Sequence, residues 1–130
     1  MLTLALVLAI GAGALHVVIF ALESILWMTP RARQTFGIET DAQAEATRPL
    51  AFNQGFYNLF LAVGAVLGAG IVVAGAAKVG WTLVVFACAR MLAASLVLVT
   101  TGRTYRGAAL RQGTLPALAL LAAAIGALGA

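Results

Sequence analysis

Polar side chains that could bind a ligand or transfer a proton lie within apolar stretches of this sequence. The candidates are a histidine, a glutamate, a tryptophan, a group of amide and phenol side chains, and an arginine: His16, Glu23, Trp27, Asn53, Gln54, Tyr57, Asn58 and Arg90. A carboxylate and an imidazole can exchange protons, and amide and phenol groups can orient a polar ligand. In hydrocarbon each of these groups costs free energy unless it has a partner.

The composition places these residues in a membrane protein. The 130 residues are 63% hydrophobic and 9% charged, with a mean hydropathy of +1.06. Soluble domains have roughly a quarter of their residues charged. The long apolar runs predict an all-α, polytopic membrane protein whose four transmembrane helices form an antiparallel bundle. One domain spanning residues 1–130 accommodates the whole chain.

The four helices are expected at about 2–28, 49–76, 81–101 and 114–130. Thr29-Pro30 should end the first, because the residue before proline disfavours helix. Two longer polar connections, residues 29–48 and 102–113, separate the helices, and a short helix could begin near Asp41.

Loop charge predicts the orientation. The 29–48 and 102–113 connections hold six of the eight Arg and Lys residues. The positive-inside rule then puts both connections in the cytoplasm and both termini outside it. We expect a multi-pass protein of the inner (plasma) membrane. The net charge of +4 has the same origin, because the arginines form no basic stripe of the kind that binds nucleic acid.

Helical spacing places the first candidates on one face. His16, Phe20, Glu23 and Trp27 follow the i, i+4, i+7 pattern of a single stripe. A carboxylate facing lipid would be costly, so this stripe should face the bundle interior. In the second helix, Asn53, Tyr57, Gly64 and Gly68 line one stripe, with Gln54 beside it and Asn58 further round.

Antiparallel packing would bring these side chains to similar depths. Glu23, Asn53 and Gln54 each lie about one turn from the cytoplasmic ends of their helices, and His16 lies ~10 Å deeper than Glu23. The long side chain of Arg90 can extend back toward this level. We therefore expect a single pocket that opens toward the cytoplasm and contains the candidate residues.

Each candidate also has a purely structural interpretation. Amide and phenol groups often hydrogen-bond between membrane helices. Glu23 and Arg90 could form a structural ion pair, His16 could donate to a backbone carbonyl in the core, and Trp27 could anchor the interface. So many polar groups in one small bundle nevertheless favour a pocket for a polar or ionisable ligand.

Metal and cofactor motifs are missing from the sequence. Cys88 is the sole cysteine and lies in an apolar run without CxxC or Cys/His spacing. We expect a small buried core residue, no metal site and no cofactor.

The run NQGFYNLFLAVG at residues 53–64 resembles the NQGxYNxFLAxG signature of the domain of unknown function 1304 family. The family's first helix has a similar order of residues to His16, Phe20, Glu23 and Trp27. The segment that leads into its fourth helix is similar to the run from Arg111 to Leu118. The resemblance covers nearly the whole chain, although Arg90 is not a position associated with the family. It implies a small four-helix bacterial membrane protein and implies no activity.

Three functions remain open at this point. The protein could bind or transport a small molecule or ion, with Glu23 as the protonatable group of a proton-coupled process. It could be an intramembrane isomerase or cyclase that uses His16 and Glu23 as an acid/base pair on a lipophilic substrate. It could instead be a structural or accessory subunit. Membrane lipids, a small-molecule ligand and a second copy in a homodimer or higher oligomer are the expected partners.

Overall fold

Helices account for nearly all of the computed structural model, which describes residues 1–129. No strand occurs within that range. The helices are α1 (Leu2–Phe20), which continues as a π-helical turn at Ala21–Ile25; α2 (Pro30–Phe36); α3 (Asp41–Val73); α4 (Ala77–Thr101); and α5 (Arg106–Leu128), which follows a 3-10 turn at Arg103–Tyr105.

Four of these helices, α1, α3, α4 and α5, are long and apolar enough to cross a membrane. Each packs against the next along the chain, and α5 closes the ring against α1. The packing is antiparallel, since Ser24 of α1 lies against Gly55 of α3 whereas Gly13 lies against Ala62. The prediction of an all-helical membrane protein with four transmembrane helices in an antiparallel bundle is therefore confirmed.

The bundle has two chemically different ends. At one end, which we call the basic end, lie the π-helical turn, α2, the start of α3 and the 3-10 turn with its arginines. The opposite end, which we call the terminal end, contains Leu2, the tight turn at Ala74–Ala76 and Gly126, which packs against Leu2. Gly75 of that turn has a φ of 97°, a conformation that glycine adopts without steric cost.

Small residues let the helices approach closely. The buried core consists mainly of alanines, with Met91 and His16 among the largest fully buried side chains. At the crossing of α3 and α4, a Cβ on Gly68 would lie 2.9 Å from the carbonyl oxygen of Gly80. Backbones in membrane bundles approach this closely at small residues, where van der Waals packing holds the helices together.

Two helices begin well before their predicted starts. Helix α3 begins at Asp41 rather than near Pro49, because the Thr40 side chain accepts a hydrogen bond from the Gln43 amide at 3.1 Å and caps it. Helix α5 begins at Arg106 rather than at Thr114. Both polar connections are therefore partly helical, and the 33 residues of α3 extend over ~50 Å, well beyond the ~30 Å hydrocarbon core.

Candidate functional site

Glu23 lies in an irregular turn of α1. The segment Ala21–Ile25 is π-helical, and the Leu26 amide donates to the carbonyl of Ala21 at 2.8 Å across this widened turn. This widened turn ends the helix, as i→i+5 turns commonly do at helix C-termini. It places Glu23 in the last turn before the chain leaves α1.

The Glu23 carboxylate is held by an amide of the neighbouring helix. Asn58 Nδ2 donates to Glu23 Oε2 at 2.8 Å, and it also lies 3.2 Å from the carbonyl oxygen of Gln54 on its own helix. Asn58 is 5% exposed, so this contact is shielded from solvent. No other hydrogen bond or ion pair to Glu23 occurs among residues 1–129.

Close helix packing makes this contact short. A Cβ on Gly55 would collide with the Ser24 hydroxyl and would lie 3.1 Å from the Glu23 Cβ. The Ser24 hydroxyl in turn donates to the Phe52 carbonyl at 2.8 Å. Gly55 thus brings α3 against the π-helical turn, and Asn58, less than one turn further along α3, reaches the carboxylate.

A cavity of about 460 Å³ lies beside this pair at the basic end. Its walls come from the π-helical turn, α2, α3, α4 and α5. The polar residues that line it are Glu23, Gln34, Thr35, Gln54, Asn58, Thr104, Tyr105, Arg111 and Gln112. The volume falls within the range of ~300–1,000 Å³ that is typical of small-molecule sites.

Three of the eight predicted site residues line this cavity: Glu23, Gln54 and Asn58. Gln54 is exposed, whereas Asn58 is buried. The structure thus brings together the acidic residue at the end of α1 and two amide residues of α3.

The remaining predicted site residues do not line this cavity. Trp27 Nε1 donates to the Ala44 carbonyl at 2.9 Å, and its ring packs against Phe36, so it attaches α2 and the start of α3 to the bundle. Asn53 is exposed. Arg90 donates to the Tyr57 hydroxyl on the outer face and makes no contact with Glu23.

His16 is fully buried within α1. Its Nδ1 lies 2.9 Å from the Ala12 carbonyl, and its Nε2 has no protein partner among the described residues. Ala12, one turn away on the same face, packs in a core cluster with Leu61 and Met91. His16 therefore belongs to the apolar centre of the bundle and is not grouped with Glu23 around the cavity.

Several cavity residues were missing from the sequence-based prediction. They come from α2 and from the 3-10 turn with the start of α5, namely Gln34, Thr35, Thr104, Tyr105, Arg111 and Gln112. Both regions were expected to be loops. Arg111 and Gln112 did have a signal, because they open the run that resembles the segment leading into the family's fourth helix.

No group of three or more His, Cys, Asp and Glu side chains that could hold a metal ion occurs between residues 1 and 129. Glu23 shares the cavity wall with amides, hydroxyls and one arginine, which are hydrogen-bonding and ion-pairing groups.

The fold and this cavity define a small four-helix membrane protein with a carboxylate–amide pair at one end of the bundle. A family model described as "Protein of unknown function (DUF1304)" matches residues 10–124. The chain therefore belongs to this family, as its NQG and YN residues indicated. No curated protein and no solved structure was found to be similar to it.

Proposed function

We propose that the cavity at the basic end binds a small polar molecule through the Glu23 carboxylate. The observation that carries this proposal is the oriented carboxylate: Asn58 donates to Oε2 at 2.8 Å, and the carboxyl group lines the cavity wall. Oε1 has no protein partner among the described residues. A carboxylate that is fixed by one amide and free on its other oxygen suits an ammonium group or another hydrogen-bond donor.

The polar part of the wall supports a ligand with hydrogen-bonding groups, while Phe36, Ala94 and Leu98 add apolar surface. Amide side chains can both donate and accept, and hydroxyl groups do the same. Arg111 is the only positively charged side chain that lines the cavity within the described residues. Since Glu23 and Arg111 share one cavity, a molecule with both a donor and an acceptor group matches this wall best.

The orientation that we propose follows from the charges. All six arginines of the two polar connections lie at the basic end. The first connection contains Arg31, Arg33 and Arg48, and the second contains Arg103, Arg106 and Arg111. The positive-inside rule places this end in the cytoplasm of a cell with a plasma membrane and places both termini outside. The cavity would then take up its ligand from the cytoplasmic side.

Binding would be the first step of transport, and proton exchange at Glu23 could couple to it. The cavities at the terminal end have almost purely apolar walls, such as the one between Leu2, Trp81 and Leu120. A transport path would therefore need a second conformation or a second copy of the chain, and we propose the homodimer as the form in which transport would occur.

The acid/base enzyme alternative receives less support. It needs an imidazole near the Glu23 carboxylate, whereas His16 faces its own helix and the apolar core. General acid/base catalysis requires partners within hydrogen-bond reach of the reacting group.

A binding screen with a matched pair of variants tests the proposal. Purified protein would be screened for thermal stabilisation by a set of primary amines, amino acids and quaternary ammonium compounds. Glu23→Gln keeps the shape and removes the charge, and Glu45→Gln removes the same charge at an exposed site. We expect at least one compound to stabilise the wild type and Glu45→Gln but not Glu23→Gln.

The pH dependence of that stabilisation gives a second readout. If the carboxylate binds the compound, Glu23→Gln should remove the pH dependence of binding between about pH 5 and 8, where His and perturbed carboxyl groups titrate. A compound that binds equally well to Glu23→Gln, with unchanged pH dependence, would contradict the proposal.

A further inference from the structure

A second charged feature lies on the outer face of the bundle, away from the cavity. Arg90 is exposed, although it lies in the middle of the membrane-spanning helix α4. Counting from Ala77 at the terminal end, Arg90 is ~20 Å along a hydrocarbon core of ~30 Å. With Ala77 placed at the boundary of the terminal end, the Cα of Arg90 lies ~10 Å from the boundary at the basic end, on the outer surface of the bundle.

The Arg90 guanidinium is held in place by aromatic residues. It donates to the Tyr57 hydroxyl of α3, and its central carbon lies 5.6 Å from the centroid of the Tyr57 ring and 5.2 Å from that of Phe86. Guanidinium groups stack favourably on aromatic faces. Tyr57 and Phe86 are themselves 40% and 59% exposed, so the group forms a fixed patch on the surface.

No acidic side chain pairs with the Arg90 guanidinium among residues 1–129. The chain contains four acidic residues: Glu23, Glu39, Asp41 and Glu45. Glu23 is bonded to Asn58, Asp41 is paired with Arg33, and Glu45 lies 3.7 Å from Arg48. Glu39 precedes α3 and lies outside the membrane-spanning helices.

A second copy of the chain would not supply an acidic side chain to pair with Arg90. The same four acidic side chains are those that it could offer, and none of them lies on an outer face at the depth of Arg90. A two-fold interface centred on this patch would instead bring two guanidinium groups together, which is costly in a medium of low dielectric constant.

We propose that Arg90 and Tyr57 bind the phosphate group of an anionic phospholipid in the leaflet at the basic end. A guanidinium has five N–H donors, of which Tyr57 occupies one, and the remaining donors match phosphate oxygens in a bidentate arrangement. The long arginine side chain and local thinning of the bilayer can span the remaining ~10 Å to the headgroup level. Phe60 and Phe86, which are 64% and 59% exposed, would pack against the acyl chains.

Vesicles of defined composition provide the probe. The intact protein would be reconstituted in phosphatidylcholine with or without phosphatidylglycerol, then released and examined by native mass spectrometry for retained lipid. We expect the wild type to retain phosphatidylglycerol in preference to phosphatidylcholine. Arg90→Gln should lower that preference about tenfold, because a charge-assisted hydrogen bond is lost. Arg31→Gln, which changes an exposed arginine of α2 outside the four candidate membrane spans, should leave the preference unchanged.

A second pair of variants keeps the proposal testable if the Arg90→Gln protein does not fold. Tyr57→Phe keeps the ring and removes the hydroxyl that positions the guanidinium, and it should lower the preference several-fold. Arg90→Lys keeps the charge without the fork geometry and should retain an intermediate preference. Equal retention of both lipids by the wild type would overturn the proposal. The proposal would also be overturned if Arg90→Gln lost dimers but kept the lipid preference of the wild type. That result would mean that a second copy of the chain covers this face.

Discussion

Glu23 and Asn58 are 35 positions apart in the chain, and a 2.8 Å hydrogen bond joins them across the α1–α3 interface. One partner lies in a π-helical turn, and the other lies on a tightly packed helix face. The pair connects the packing of the bundle to the chemistry of the cavity, because the same contact that fixes the carboxylate also satisfies a buried amide.

Asn58→Ala should lower the free energy of unfolding in detergent by about 0.5–2 kcal/mol, because the Glu23 carboxylate loses its donor in a shielded position. Asn53→Ala provides the matched control, since it removes the same amide from an exposed position of the same helix. Its effect should stay within about 0.5 kcal/mol. Denaturant titration followed by circular dichroism measures both, and equal stability of the two variants would contradict the role of Asn58.

Gly55→Ala should destabilise the fold by about 1–3 kcal/mol, because the added methyl group collides with the Ser24 hydroxyl at the closest approach of α1 and α3. Ser24→Ala in the same chain should restore part of this loss by removing that hydroxyl. At Gly70 a Cβ would meet open space. Gly70→Ala should therefore be neutral or stabilising by up to about 1 kcal/mol. A Gly55→Ala protein as stable as Gly70→Ala would show that the helices do not meet as described.

The depth of the polar residues could be predicted from the sequence, but their rotation about the helix axis was harder to predict. Counting residues from the helix ends placed Glu23, Asn53 and Gln54 at one level, and two of these three, Glu23 and Gln54, line the cavity. The single pocket that the sequence predicts requires the polar stripe through Asn53 and Tyr57 to face inward. These residues are exposed, and α3 buries a face of small residues instead.

That inward face follows from packing. Gly55, Asn58, Ala62, Ala65 and Ala69 recur at helical spacing and are all buried. In a membrane bundle small residues mark the face where backbones approach, and this signal outweighs polarity as an indicator of rotation. The spacing of these small residues in the sequence would have predicted that Asn58 faces inward and Tyr57 outward. It would also have suggested that Arg90, if it contacts Tyr57, lies on the outer face.

The cavity walls from α2 and α5 could not be predicted in the same way. Their polar residues lie in stretches without apolar periodicity, which were expected to be loops. The π-helical turn at Ala21–Ile25 likewise has no sequence signature that distinguishes it from an ordinary α-helical turn. Tertiary contacts with α3 accompany it, and these contacts depend on how the helices pack.

Cysteine labelling tests the orientation. In a Cys88→Ser background, Thr104→Cys should react with a membrane-impermeant maleimide only in inverted vesicles or permeabilised cells, because it lies at the basic end. Ala76→Cys, at the exposed turn of the terminal end, should react in intact cells. The reverse labelling pattern would overturn the cytoplasmic placement of the cavity while leaving the fold intact.

His16→Met tests whether the buried imidazole has a structural role. Methionine has a similar volume and removes Nε2, which has no protein partner in the described chain. The Nδ1 contact to the Ala12 carbonyl is also lost. Because a buried unpartnered acceptor carries a desolvation cost, we expect the unfolding free energy to change by less than about 1 kcal/mol or to rise.

His16→Ala separates packing from polarity at the same position. It leaves a cavity in the centre of the bundle and should cost about 2–4 kcal/mol, as other large-to-small core substitutions do. Denaturant titration of both variants beside the wild type gives the comparison. If His16→Met loses as much stability as His16→Ala, then Nε2 has a partner in the folded protein, and His16 returns as a candidate for proton exchange with the Glu23 site.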